Sequence, residues 1–422
     1  MRSKLWLVVL LVCLLFVSCS DKSLEKRTVL AIPVYGQSLA LGEEAVRVTN
    51  FDTLTRISNG LIVTENLDDE FGFFSDTHFK QWMKKMLGDR HRAFELSIYG
   101  MSEVVSAHLK AKGKGDSIMI SIFPGGQGAT CIRDMGKGSR PYQKFLDEIE
   151  AGYNKAQSRG WRFEVPAFCW MQGENDIVWD RTNNYQKDLK DFQVALNKDI
   201  KAITKQVRDV VCITYQTNCL TLSPKFNSSL YQSRETSIPQ GQLELIRSDA
   251  LFSASGPTYP YSFVGENVHL DGLSQKRLGY LAGLSVIRLL DSKPSHGLLP
   301  VKFEVHKNEV FVSFNIPYPP LVLDTIEVSK AGNYGFSVVD SDDVNILEKV
   351  LLEDNTIRLI CNRSPVGSKA RYAINGVHGK TGKANGPRGN LRDSQGSVLS
   401  ALILKNNYPL HNWCYQFDEL LK

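Results

Sequence analysis

Residues 28–42 read TVLAIPVYGQSLALG, and this stretch sets the reading of the whole chain. Val29, Leu30, Ile32 and Val34 form an apolar, β-branched run, the composition of a buried strand. Gly36 ends the run and Ser38 follows closely. Open α/β sheets keep their sites beyond the carboxyl ends of their strands. A serine placed there is either a nucleophile that needs a base or the cap of a helical turn over Leu39–Leu41. The remainder of the chain decides between the two by whether it supplies a base, an orienter for the base and donors for an oxyanion.

Outward from this stretch, strand and helix patterns alternate. Ser117–Phe123 reads as a second strand ending at PGGQG, Phe163–Trp170 as a third running into MQGEND, and Val210–Tyr215 as a fourth. Helical spacing of apolar residues marks His78–Leu87, Met101–Lys110, Pro141–Arg159, Tyr185–Val207, Gln240–Leu251 and Leu273–Leu290. Asn50–Asp76 is irregular, and Gly256–Tyr261 reads as a Pro-containing loop. The alternation predicts an α/β/α domain with a parallel sheet over residues 28–295. Past Ser292–Pro294 the period changes to two: Val301, Phe303 and Val305, a turn at HKNE, then Val310, Val312 and Phe314. Further strand-like runs predict a small all-β, sandwich-like domain over 296–422. Within it Gly367–Arg392 is basic and Gly-rich and reads as a solvated loop.

With 422 residues, 42% of them hydrophobic, the chain is long enough for two domains. Its formal charge of +5, or +3 without Arg2 and Lys4, is too small to imply nucleic acid as a partner. Arg2 and Lys4 precede an apolar segment, Leu5–Val17, which is short for a membrane span and reads as an export signal over 1–19. Ser18 before Cys19 resembles a bacterial lipoprotein box, which implies Cys19 as a lipidated residue, a tether over 20–27 and a place in the cell envelope. The only membrane contact expected is that anchor. Of the six cysteines besides Cys13 and Cys19, Cys212–Cys219 and Cys361–Cys414 are candidate disulfides in an exported chain. Cys131 and Cys169 sit in apolar stretches and read as buried thiols. No cluster with metal-ligand spacing is present in the sequence, and neither metal nor cofactor is expected.

Four polar blocks follow strands or precede the last helix: Gly36-Gln37-Ser38, Gly125 to Thr130, Trp170 to Asp176, and Glu266-Asn267-Val268-His269. In this order GQSL, GGQGAT, WMQGEND and ENVHL resemble the blocks of the SGNH/GDSL hydrolases, and more closely the sialate O-acetylesterase-like carbohydrate esterase branch. The resemblance spans about residues 28–290. It implies a flavodoxin-like SGNH fold and a serine esterase with Ser38 as nucleophile and His269 as base. Glu266 stands where the family has the Asp that orients the histidine. Gly128 and the Gln172 side-chain amide, with the Ser38 N–H, would bind the oxyanion. Gln37, Glu174 and Asp176 would support the site, the two acids by accepting loop N–H bonds and holding Gln172. Leu39 replaces the usual Asn and Ala129 the usual Gly.

The resulting expectation is an envelope esterase that removes acetyl groups from an acetylated oligo- or polysaccharide, its specificity set by Asn50–Asp76 and Gly256–Tyr261. Three rivals stand beside it. One is an SGNH lipase or thioesterase acting on longer acyl groups. Another is an inactive glycan-binding lipoprotein, motivated by Leu39, Ala129 and Glu266. The third is a glycoside hydrolase that uses Glu174 and Asp176 as its acid and base.

Overall fold

The structure, a computed structural model, describes residues 27–50, 54, 62–64, 72–73, 94–115, 117–181, 184–227, 232–233, 236–293 and 297–422. The export segment with Cys19, most of Asn50–Asp76 and the expected helix His78–Leu87 lie outside the described residues.

The opening stretch forms β1, Thr28–Ala31 continued by Val34–Gly36. The interruption falls at Pro33, which has no N–H for the ladder. Across the gap Ile32 N donates to the Ser121 carbonyl at 2.8 Å and Val34 N to that of Phe123 at 3.0 Å, so the sheet is continuous. Helix α1 is Ser97–Ala111. Strand β2 is Ile118–Ser121 with Pro124–Gly126. Helix α2, Arg140–Ser158, is capped by the Ser139 hydroxyl, which accepts from Tyr142 N. Strand β3 is Arg162–Glu164 with Ala167–Met171, interrupted next to Pro166. Then follow α3 (Glu174–Val178), α4 (Tyr185–Thr204), β4 (Val211–Gln216), α5 (Ser237–Ser248), β5 (Phe252–Pro257) and α6 (Gly272–Leu290).

The parallel order is β2-β1-β3-β4-β5, with short strands Ile62–Thr64 and Gly72–Phe73 outside β2. β5 has no counterpart among the expected strands, and its last two residues fall in the expected loop Gly256–Tyr261: its sequence, FSASGP, is too small and polar to advertise a buried strand. Side chains on β3 alternate between two layers, as the pleat requires. Phe168 and Trp170 meet Phe192 of α4, with ring centroids 6.1 and 4.7 Å apart. Cys169 and Met171 face α1, their sulfurs 3.4 Å from Met101 Sδ and 3.3 Å from Ser97 Oγ. This double burial is why Ala167–Met171 is apolar throughout.

The carboxyl-terminal region is antiparallel. Strands β6 (Leu299–His306) and β7 (Glu309–Asn315) form the expected hairpin. They are followed by β8 (Phe336–Val339), β9 (Leu347–Glu353), β10 (Thr356–Cys361), β11 (Lys369–Tyr372) and β12 (Phe417–Leu420). One sheet runs β6-β7-β10-β9 and another β8-β11-β12, and the Phe303 and Phe417 rings meet 5.4 Å apart between them. The core between these sheets also takes in Leu243 and Ile246 of α5, Ala254 of β5 and Tyr259.

All six described cysteines are buried and unbridged. The expected pairs do not form. Cys212 lies within β4, whereas Cys219 sits at the sheet rim beside the Glu174 carbonyl. Cys361 is on β10 and Cys414 packs beside Tyr415. Cys131 and Cys169 are buried thiols as expected, and burial pushes the Cys169 thiol up to about 12. Among the described residues no helix is long and apolar enough to cross a membrane. No group of three or more His, Cys, Asp or Glu among them could hold a metal ion.

Candidate active site

Gly36 of β1 is in register with Gly126 of β2 on one side and Met171 of β3 on the other. Three of the four polar blocks therefore leave the sheet side by side, at the point where the strand order reverses. The approach is too close for side chains. A Cβ on Gly36 would stand 2.0 Å from the Met171 carbonyl oxygen, and one on Gly126 only 1.7 Å from that of Gly36.

Beyond Gly36 the chain makes turns rather than a helix, and Ala40 N and Leu41 N donate to the carbonyls of Gln37 and Ser38 rather than to the serine hydroxyl. It lies 2.8 Å from His269 Nε2. His269 comes from the short connection between β5 and α6, and α6 itself fastens the serine turn, since Gln275 Nε2 donates to the Leu39 carbonyl at 2.8 Å. Asp271 caps α6 by accepting from Ser274 N, which fixes the chain two residues past the histidine. Ser38 is 5% exposed.

The partner of His269 Nδ1 is Glu44, whose Oε2 lies 2.8 Å away. With Nδ1 protonated and donating to that carboxylate, Nε2 is left to accept from the serine. Glu44 was missed from the sequence, and the signal was the acidic pair Glu43-Glu44 at the end of the serine block. Its backbone is left-handed, at φ 65°, after a tight turn at Gly42. Glu266 is not brought to His269. Its carboxylate accepts from Asn385 Nδ2 at 2.6 Å and faces Lys380 Nζ at 3.3 Å, and these partners hold it below the usual carboxylate range. A φ of 55° at Glu266 turns the loop away from the imidazole.

Gly128 is brought to Ser38: a Cβ built on it would lie 3.8 Å from the serine Cβ. Among the described residues neither the Ser38 nor the Gly128 N–H has an acceptor. The next residue, Ala129, has a φ of 52°, the conformation for which the usual Gly is suited. The Gln172 amide is engaged elsewhere. Fully buried, its Nε2 donates to the Thr130 carbonyl at 3.2 Å and to Asp176 Oδ2, and its Oε1 accepts from Tyr185 OH at 3.1 Å. The acidic group of Asp176 draws the amide inward.

The supporting residues lie under these loops. Gln37 Oε1 accepts from Asn175 N at 3.2 Å, tying the serine block to α3. Asp176 also accepts from Ile132 N at 3.1 Å, and burial lifts its carboxyl to about 6. Glu174 accepts from the hydroxyls of Tyr215 and Thr217, at 2.6 and 2.7 Å, and burial raises it too. Each acid is 1% exposed, so neither can reach a glycosidic bond. Tyr259 and Tyr261 are also buried, at 0% and 4%, so the Gly256–Tyr261 segment does not present itself to a substrate as expected.

An activated hydroxyl, a histidine braced by a carboxylate, and two free amide donors beside them together suit acyl transfer. The sequence of the surrounding blocks agrees. Residues 95–284 match the family described as carbohydrate esterase, sialic acid-specific acetylesterase. The match includes the Gly128, Gln172 and His269 blocks, and Ser38 lies ahead of it. No curated protein sequence matches the chain. A carbohydrate acetylesterase from Xanthomonas citri has a similar structure, with a TM-score of 0.56 at 13% identity over 93% of this chain and 80% of that one. Its likeness bears on the fold, and extends past the esterase-type domain into the antiparallel region. NanS aligns at a TM-score of 0.40 and 11% identity over 64% of this chain and 98% of its own. An Arabidopsis thaliana protein aligns at 0.41 and 14% over 63% and 99%. The resemblance to the carbohydrate esterases is borne out over residues 95–284, and the α/β fold with it.

Proposed function

We propose that this chain is a serine esterase that removes O-acetyl groups from carbohydrates through an acetyl-enzyme. The observation that carries the reading is the Ser38 Oγ–His269 Nε2 distance of 2.8 Å, in a chain whose residues 95–284 match an acetylesterase family. Ser38 Oγ bonds to the acetyl carbonyl carbon while His269 Nε2 takes its proton. The oxyanion lies against the Ser38 and Gly128 N–H groups. The C–O bond to the sugar breaks, and the leaving alkoxide takes the proton back from Nε2. Water, deprotonated by His269, then adds to the acetyl carbon, the bond to Ser38 Oγ breaks as the serine takes that proton back from His269, and acetate departs. Glu44 keeps Nδ1 protonated and stabilises the imidazolium.

A sugar as the alcohol has support beyond the family. Trp179 ends α3, stands 64% exposed, and is pinned by its indole N–H to Asn175 Oδ1 at 3.1 Å. Asn175 is the residue tied to Gln37, so a rigid aromatic face stands on the same rim as Ser38, suited to the apolar face of a sugar ring. Export by residues 1–19, with Cys19 lipidated, belongs to the same proposal.

The test is acetate release from a panel of acetylated glycans by wild type and by Ser38→Ala at equal folding. Wild type is expected to release acetate, with the variant lower by about 10⁶-fold. A nitrophenyl ester series turning over best above butyrate would move the reading to a lipase or thioesterase.

A further inference from the structure

The loop that carries His269 has little structure of its own. Its ends are joined by the bridge between Phe263 and Leu270 and by Val264 N donating to the His269 carbonyl at 2.8 Å. Between them lie two left-handed residues, Gly265 and Glu266, and nothing packs within 4 Å of where a Gly265 Cβ would be. A non-glycine residue in that conformation persists only where its surroundings hold it.

What holds it is residues 377–386, part of the basic, Gly-rich stretch that reads as a solvated loop in the sequence. Thr381 N donates to the Glu266 carbonyl at 3.0 Å, and the Thr381 hydroxyl donates to that of Asn267. Lys383 N donates to the Tyr261 carbonyl at 3.0 Å. Asn385 and Lys380 grip the Glu266 carboxylate. Gly382, at φ 76°, passes so close that a Cβ would stand 2.7 Å from the Tyr261 carbonyl oxygen. The strip is fixed in turn. Gly379 N donates to the Thr221 carbonyl at 3.0 Å, and the fully buried Asn390 beyond it donates to the Asp324 and Val328 carbonyls.

We infer that this strip of the antiparallel region is part of the esterase site, with Glu266, Thr381 and Asn385 as positioning residues that hold His269 within reach of Ser38. The inference rests on the esterase reading. It gives Glu266 a different task from the one its place in the sequence implies: the acid orients the loop rather than the imidazole. It also gives the antiparallel region a task in the reaction, since a histidine displaced by about 1 Å costs up to roughly 10²-fold in rate.

The test uses the full-length protein with nitrophenyl acetate and follows kcat, KM and the melting temperature together. Lys380 is 44% exposed on its side chain and Asn385 is also exposed, so Lys380→Met with Asn385→Ala leaves the core untouched. The double variant is expected to lose about tenfold in kcat with KM and melting temperature nearly unchanged. Lys380→Arg alone is expected to retain wild-type kcat. Arg363→Ala, which breaks an exposed pair with Asp340 elsewhere in the antiparallel region, serves as the control and is expected to leave kcat unchanged. Wild-type kcat in the double variant would overturn the inference, as would a lower melting temperature with unchanged kcat per folded molecule. Failure of the esterase reading looks different: wild type itself would be inactive.

Discussion

The two acids near His269 do different work, and substitution separates them. Glu44→Gln keeps an acceptor for Nδ1–H but removes the charge that meets the imidazolium. Because the Glu44 side chain is 51% exposed, water already screens that charge, and kcat is expected to fall by roughly 10- to 100-fold rather than more. Glu266→Gln retains an acceptor for Asn385, and steady-state kinetics are expected to show kcat within about threefold of wild type. Equal losses in the two variants would contradict the assignment. Trp179→Ala is expected to raise KM for an acetylated oligosaccharide by about tenfold, with nitrophenyl acetate turned over as before. Asp176 provides a test by pH. Its folded value of about 6 lies above its ordinary 3.8, so the protonated form favours the fold. The stability this group contributes is present below pH 4 and lost as pH rises through 6. Denaturation of wild type and Asp176→Asn across this range is expected to show wild type losing ground to the variant by roughly 3 kcal/mol as pH rises. A constant difference would show that the carboxyl is not raised. At this scale the meeting of Ser38, His269 and Gly128 was legible, because their blocks resemble, in order, those of the carbohydrate esterases. Glu44 was not, because its role depends on a left-handed turn that places it across from a histidine 225 positions later.

Elements with a strong period were legible to within a few residues. α2 and α4 show their buried stripe plainly, and β3 is an apolar run because helices cover both its faces. β5 was hidden because small residues suffice where α6 and the Tyr415 hydroxyl, which accepts from Gly256 N at 2.7 Å, close over the strand. The reversal of order about β1 is what creates the site, and it depends on close backbone contact at Gly36 and Gly126. The stretch 377–386 shows the limit of reading charge. Its lysines and glycines suit solvent, yet Thr381 is 1% exposed, buried against a loop more than a hundred residues earlier in the chain.

At the scale of the molecule, the change of period near Pro294 marks a change of architecture but not a break in packing. Leu243, Ile246 and Tyr259 belong to the core of the antiparallel region, and Ile374, Ala401, Ile403 and Leu410 belong to that of the parallel one. Gln216 and Gln416 also exchange bonds across the junction, with Gln416 N donating to Gln216 Oε1 at 2.7 Å and Gln216 Nε2 to the Gln416 carbonyl at 2.9 Å. A chain ending at Leu290 would expose Leu243, Ile246 and Tyr259 to water, each at a cost of about 1.5–3 kcal/mol. Such a truncation is expected to aggregate or to lose its cooperative melting transition, as calorimetry would show. A truncated chain with a sharp transition and full activity would contradict both the shared core and the role given to residues 377–386. The sequence shows two architectures, and only the fold shows that each completes the other's core.

The most direct measurement is acetate released from an acetylated glycan by wild type and by Ser38→Ala, with folding of both verified by circular dichroism. The account predicts release by wild type and a loss of about 10⁶-fold in the variant. Equal release by the two proteins would contradict it.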